Sequence, residues 1–254
     1  MLITKRALLI SNPGEVGAEN YCKGVYVDIN NYQRLLFSAQ GGAWETNEIT
    51  NLDRPSLADV RAWIANMSAV DYVFVMFTGH GWFSELDHDR VLELRSGQSI
   101  ASNELLKGTK RRTLVLDCCQ KVYKKTLIEK HAHVFSGSIE PERRPLNREA
   151  CKKLFSDLVS VADEGFLRLS SCSIGEYSYD DDKEVAHYNS SLIRTVENWA
   201  NGAAARYSQA PISLSVVAAH EQAATLTTKR SGGLQHPVIE KPKSMPYFPI
   251  AVFA

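Results

Sequence analysis

The chain has 254 residues, of which 44% are hydrophobic and 23% charged, so it can build one large α/β domain, or at most two small ones, and disorder is not its default state. Lys plus Arg equals Asp plus Glu at 29 each, and the zero formal net charge excludes nucleic-acid or membrane binding through bulk charge. No run approaches the roughly 18 apolar residues of a membrane-spanning helix, and the five cysteines (Cys22, Cys118, Cys119, Cys151, Cys172) are odd in number with no CxxC pair, against a disulfide framework or a zinc ribbon.

Taken in order, Met1 leads directly into Leu2-Ile3-Thr4-Lys5-Arg6 with no apolar signal region; with the reduced cysteines, this predicts a soluble cytoplasmic protein. Arg6–Ser11 reads as a buried strand. The loop Asn12–Gly17 contains glycines but neither of the phosphate-loop spacings. A helix is expected from about Val27-Asp28 to Ala39, with Ile29, Tyr32, Leu35 and Leu36 at helical spacing and Gly41-Gly42 as its stop. Glu45–Leu52 reads as a second strand. Ser56 then caps a helix that reaches Met67, with Asp59 in its first turn. Asp71–Phe77 is an apolar strand ending in Thr78-Gly79-His80-Gly81. Trp82–Leu94 reads as a loop with a hairpin strand at Arg90–Leu94, and Ser102–Leu106 as a short helix. Arg112–Leu116 is the next strand, ending in Asp117-Cys118-Cys119.

A long basic segment follows, at about 121–163, with helical periodicity over Asn147–Ser160. Loops of this length in a compact domain are usually functional or mobile. Its His131 and His133 are spaced like metal ligands, but nothing near them completes a site, and no metal is expected. Gly165–Cys172 is a further strand, followed by an acidic loop over 176–184. Helices are expected over Ser190–Ala200, with Leu192, Ile193, Val196 and Trp199 on the buried face, and over Ser213–Ala224. Gln235–Ile239 and Phe248–Phe253 supply a closing edge strand. Strands alternating with helices predict one mainly parallel sheet covered on both faces.

The chemistry collects at two strand ends. One presents the imidazole of His80 between glycines; the other presents two thiols. A thiolate made available by a neighbouring imidazole is a nucleophile near neutral pH. Cys119 lies 39 residues after His80, room for one crossover between neighbouring parallel strands. The amides of Gly81 and of the nucleophilic cysteine are candidate oxyanion donors. Alternation along a strand points Cys118 and Cys119 to opposite sides and does not say which is the nucleophile.

Phe77-Thr78-Gly79-His80-Gly81 and Leu116-Asp117-Cys118-Cys119-Gln120 resemble the two catalytic motifs of the caspase-like cysteine peptidases, the metacaspases and paracaspases above all. In that family the strand ending in (S/T)GHG bears the base and the strand ending in D-x-C bears the nucleophile. The resemblance therefore implies a caspase-like three-layer α/β/α sandwich over residues 1–254, with His80 as base, Cys119 as nucleophile, and Cys118 at the variable middle position. Lys23–Asp28 resembles the early L-x-G-C-x-N-D segment, with Val25 in place of its cysteine. Leu169–Cys172 resembles the strand bordering the substrate groove, and Gln235-His236-Pro237 the closing Q-x-P. Gln120-Lys121-Val122 departs from the H-S-G of metacaspases and is nearer to paracaspases.

Members that cut after basic residues line S1 with acids. By position these would be Asp28 and Asp117, with Asp180 and Asp182 from the acidic run, and Thr78 beside them. A carboxylate-lined pocket favours Arg at P1, then Lys. Arg143-Arg144 then becomes a candidate processing site, cut by the enzyme itself or by an upstream protease. The resemblance also implies a protein or peptide substrate, no cofactor other than the calcium that some metacaspases need, and, from small prokaryotic relatives, a role in stress or antiviral defence. A catalytically silent caspase-like scaffold and a CHAT-type protease are the competing readings.

Overall fold

The computed structural model describes residues 2–119, 146–180, 186–202 and 210–254. Its centre is a six-stranded sheet in the order β10-β8-β7-β3-β1-β2. The strands are β1 (Lys5–Asn12), β2 (Ile49–Asp53), β3 (Tyr72–Gly79), β7 (Arg111–Asp117), β8 (Gly165–Ser170) and β10 (Val238–Glu240). All pair in parallel except β10, which runs antiparallel to β8 at one edge.

The apolar runs are continuous because both faces of the sheet are covered. Alternation sends Ala7, Leu9, Phe74, Met76 and Val115 into one core. That core lies under α1 (Gly24–Phe37), α3 (Arg148–Val161), α4 (His187–Asn201) and α5 (Val216–Arg230). Leu8, Ile10, Val75, Phe77, Leu114, Leu116 and Cys118 face the opposite core. There α2 (Leu57–Ala65) packs beside a small antiparallel sheet of β4 (Gly81–Ser84), β5 (Asp89–Arg95) and β6 (Gln98–Ala101). A second small sheet pairs β9 (Ile212–Ser215) with β11 (Pro249–Phe253).

Several elements differ from expectation. The first helix begins at Gly24 and buries Val25, Asp28, Tyr32 and Leu36; Ile29 and Leu35 flank that stripe instead of forming it. This rotation carries Asp28 inward. Glu45–Leu52 divides into a 3-10 turn (Thr46–Glu48), closed by reciprocal bonds between Glu45 and Glu48, and then β2. The second helix stops at Ala65, two residues short of Met67, with Asn66 capping it; at its start Ser56 and Asp59 cap each other. Trp82–Leu94 holds two strands rather than one, because Gly81–Ser84 pairs with Asp89–Leu92. Ser102–Leu106 is a 3-10 turn.

Within the basic segment at about 121–163, the helical periodicity of Asn147–Ser160 is α3, over 148–161, with the Asn147 side chain accepting from the Ala150 amide; residues 121–145 lie outside the described residues. The fourth helix starts at His187, three residues early. Residues 213–215 are strand, and Ser215 caps a helix running on to Arg230. The closing edge strand is β10 alone; β11 leaves the main sheet for β9.

Candidate active site

Two neighbouring parallel strands set the geometry. The register pairs Thr78 of β3 with Asp117 of β7. His80 and Cys119 each lie two residues beyond that pair, at equal depth on adjacent strand ends. Adjacent strands lie about 4.8 Å apart. Chain alternation separates the side chains that follow. Leu114, Leu116 and Cys118 share the α2 face, so Asp117 falls on the face of α1 and α4, as Thr78 does on β3.

The two thiols have unlike surroundings. Cys118 is 2% exposed. It fills the space under Gly81, where an added Cβ would sit 2.9 Å from its sulfur and 2.8 Å from the Val91 carbonyl oxygen. Burial pushes the Cys118 thiol well above its ordinary range, and a thiol held protonated is a poor nucleophile. Cys119 is half-buried, and its thiol donates to the Ser178 carbonyl at 3.8 Å. The two thiols therefore differ in exposure: Cys118 is packed away and Cys119 is partly open.

His80 leads from β3 into β4, and its carbonyl accepts from the Glu93 amide at 3.0 Å. Its Nε2 is buried, with no hydrogen-bond partner among the described residues. Gly14 lies against that nitrogen: a Cβ there would come within 2.8 Å of it, and Gly14 also sits at φ +84°, so glycine meets both demands.

Behind the thiol lies a buried acid pair. Asp28 is 1% and Asp117 4% exposed. Asp28 Oδ2 accepts from the Thr78 hydroxyl at 3.0 Å and from the Asn189 side-chain amide at 2.8 Å. Asp28 Oδ1 is buried with no partner among the described residues. Asp117 accepts from the Ser178 hydroxyl at 2.5 Å and from the Asn189 backbone amide at 3.2 Å. These donors are neutral. Burial, and then the charge of Asp117, push the Asp28 carboxyl well above the usual carboxylate range; burial first, with Asp180 adding to it, raises Asp117 to about 6. Two carboxyls buried near each other gain from a cation between them.

Asp180 stands at the rim, half-exposed and bridged to Ala186 across the acidic loop. Asp182, the dibasic step Arg143-Arg144, and His131 and His133 lie outside the described residues. The segment after β8 is held over the site. Gln235 donates to the Ser171 carbonyl at 2.8 Å and to Ser178 Oγ at 3.3 Å, and accepts from the Tyr179 amide at 3.2 Å. Glu176 accepts from the Ser173 and His236 amides and meets the His236 ring at 2.7 Å.

Arg168 lies inside β8, paired with Leu114 three residues short of the end of β7, and is committed elsewhere. It forms a bidentate pair with Glu240 and bonds Asp89, Ser102 and Asn103.

Sequence reading missed Asn189, Ser178 and Tyr32 as neighbours of the acids. For Asn189 one signal existed. It falls on the same helical stripe as Leu192, Ile193 and Val196, and a polar residue on a buried stripe needs partners. Ser178 carried no signal, since a serine in a polar loop has many unremarkable reasons to be there.

A family model described as a caspase domain matches residues 4–243. No curated protein sequence matches the chain. Among solved structures, caspase-1 from Spodoptera frugiperda is similar, with a TM-score of 0.55 and 13% identity over 95% of this chain and 88% of that one. At that identity the likeness shows the fold, a caspase-like α/β sandwich with a mainly parallel central sheet.

Proposed function

The chain belongs to the caspase-domain family of cysteine peptidases, and from that premise we propose that it is an endopeptidase that uses Cys119 and His80 and cuts proteins after basic residues, Arg before Lys. The observation that carries the proposal is the register that sets Cys119 and His80 at equal depth on neighbouring strand ends, with a buried acid pair beside them.

In the proposed mechanism His80 takes the Cys119 thiol proton. The thiolate sulfur forms a bond to the carbonyl carbon of P1, and the carbonyl π electrons move onto oxygen. The amides of Gly81 and Cys119 donate to that oxyanion. Collapse breaks the C–N bond, and His80 gives its proton to the departing amine. Water, deprotonated by His80, then attacks the thioester, releasing the new carboxylate and restoring the thiol.

The preference for a basic P1 residue is supported by Asp28 and Asp117, whose only described donors are neutral, and by Asp28 Oδ1, which has no partner among the described residues. Commitment of Arg168 to Glu240 and Asp89 argues against recognition of an acidic P1. Both carboxylates are covered, and the Cys119 thiol rests on Ser178 O. This supports a site that opens by displacement of residues 173–180. A place in a prokaryotic defence or stress response and any need for calcium are carried by sequence resemblance alone; a cytoplasmic location rests on the cysteine pattern, and activation by cleavage on the dibasic step Arg143-Arg144 together with the resemblance.

A panel of fluorogenic peptides varied at P1 tests the proposal. Turnover of Arg and Lys peptides is expected from the wild type and from Cys118→Ala, and none from Cys119→Ala. Activity that survives Cys119→Ala but not Cys118→Ala would overturn the nucleophile. Preference for Asp at P1 would overturn the pocket, and silence of the wild type after deliberate cleavage at Arg143-Arg144 would favour the scaffold reading.

A further inference from the structure

We propose that Asn189 is the specificity-determining positioning residue of the cation pocket: it fixes Asp28 so that Oδ1 is the oxygen presented to the P1 side chain. The inference rests on the basic-P1 reading and adds the residue that orients the pocket.

Asn189 lies in the first turn of α4 and is 1% exposed. It reaches three residues on two other elements at once, Asp28 and Tyr32 on α1 and Asp117 on β7. Its side-chain amide donates to Asp28 Oδ2 at 2.8 Å, its side-chain carbonyl accepts from the Tyr32 hydroxyl at 3.1 Å, and its backbone amide donates to Asp117 Oδ2 at 3.2 Å. The Tyr32 bond fixes which end of the amide faces Asp28, since a hydroxyl that donates leaves only the NH2 for the carboxylate. Thr78 donates to the same Oδ2 at 3.0 Å.

A carboxylate oxygen has two lone-pair sites, so these two donors fill Oδ2. Among the described residues Oδ1 receives none, although it is buried. Leaving one oxygen of a buried carboxylate bare while doubling donors on the other is costly for structure alone. It is the arrangement expected of a carboxylate that waits for a donor arriving with a ligand. A guanidinium or ammonium group brings both that donor and the missing positive charge.

Without the Asn189 amide, Asp28 keeps its burial but loses one of the two bonds that set its rotation about Cβ–Cγ. Oδ1 and Oδ2 then compete for the Thr78 hydroxyl, and the pocket loses discrimination for cations in particular rather than affinity for peptides in general.

The test measures binding to the full-length chain in a Cys119→Ala background, so that turnover is not needed. Calorimetry compares a P1-Arg peptide with its P1-citrulline counterpart, which keeps the shape and loses the charge. The parent is expected to prefer Arg. Asn189→Leu is expected to cut the Arg-to-citrulline affinity ratio by roughly tenfold or more with citrulline binding unchanged. Tyr32→Phe, which deletes one hydroxyl and keeps the ring, is expected to lower the ratio by a few fold, and serves if Asn189→Leu does not fold.

If both peptides weaken equally, or the ratio is retained, Asn189 is only structural and the inference falls while the basic-P1 reading stands. A parent that binds Arg and citrulline alike overturns the basic-P1 reading itself, and the inference with it.

Discussion

Asp117 is a buried acid that the fold holds at a cost. Its carboxyl is raised to about 6, by burial first, and Asp28, Asp180, Tyr32 and Tyr188 pack around it without supplying a positive charge. A carboxyl raised in the folded state binds its proton more tightly there than in the unfolded chain. Stability therefore falls as pH rises from about 4 to about 6, and the whole penalty is present at neutral pH. Asp117→Asn is expected to gain about 3 kcal/mol at pH 7 in urea unfolding and almost nothing at about pH 2.5, where both states are protonated. The same variant is expected to lose at least tenfold in kcat/KM on P1-Arg peptides. A variant neither more stable at pH 7 nor weaker on Arg peptides would remove Asp117 from the pocket.

At the scale of elements, β10 is three residues long and yet closes the sheet edge. Three backbone pairs are too few to hold it alone. A charged cluster supplies the rest. Arg168 on β8 grips Glu240 on β10 bidentately, Arg90 on β5 reaches the same carboxylate at 3.0 Å, and Arg168 also bonds Ser102, Asn103 and Asp89. Asp89 is buried and takes the Ser102 hydroxyl at 2.6 Å and the Asn103 amide at 2.9 Å. Removing one partner from such a cluster leaves buried charge uncompensated. Arg168→Leu is expected to cost about 3–5 kcal/mol in chemical denaturation, with early exchange of the Val238–Glu240 amides. A loss under 1 kcal/mol would show that backbone pairing suffices.

For the whole molecule, the two cores on either side of one sheet converge at its C-terminal edge. The β4–β6 sheet supports Gly81 from one side, and α1 and α4 carry the acids on the other. The segment 173–180 lies across both, with Ser178 bonded to the Cys119 thiol and to Asp117. If cleavage at the dibasic step opens this arrangement, mass spectrometry of the purified chain under activating conditions is expected to show fragments ending at Arg143 or Arg144. Replacing both arginines by alanine is expected to abolish the fragments and most of the activity. An intact chain with full activity would end the idea.

The sequence by itself determined the architecture and the sheet edge that carries the candidate site. Apolar runs too continuous for a one-sided sheet could only be strands covered on both faces, and the two that end in Thr78-Gly79-His80-Gly81 and Asp117-Cys118-Cys119 marked one sheet edge, because parallel strands end together. Periodicity could not fix the rotation of the first helix, since Ile29 and Leu35 fit a helical stripe as well as Val25 and Leu36 do; packing on β1 and β3 decided it and turned Asp28 inward. Nor could local pattern find β4 or separate β9 from the helix after it, because short strands exist only through their partners.

The distinction between the two thiols needed no more than the alternation of β7, but only the tertiary structure showed which face was filled: Cys118 lies buried under Gly81, while Cys119 is half-buried and meets the Ser178 carbonyl. The same is true of Asn189. One chain position supplies donors to Asp28 and Asp117 from a helix more than seventy residues beyond the nearer acid. Contacts of that span have no local signature, because what specifies them is the shape of the cavity that the folded elements enclose.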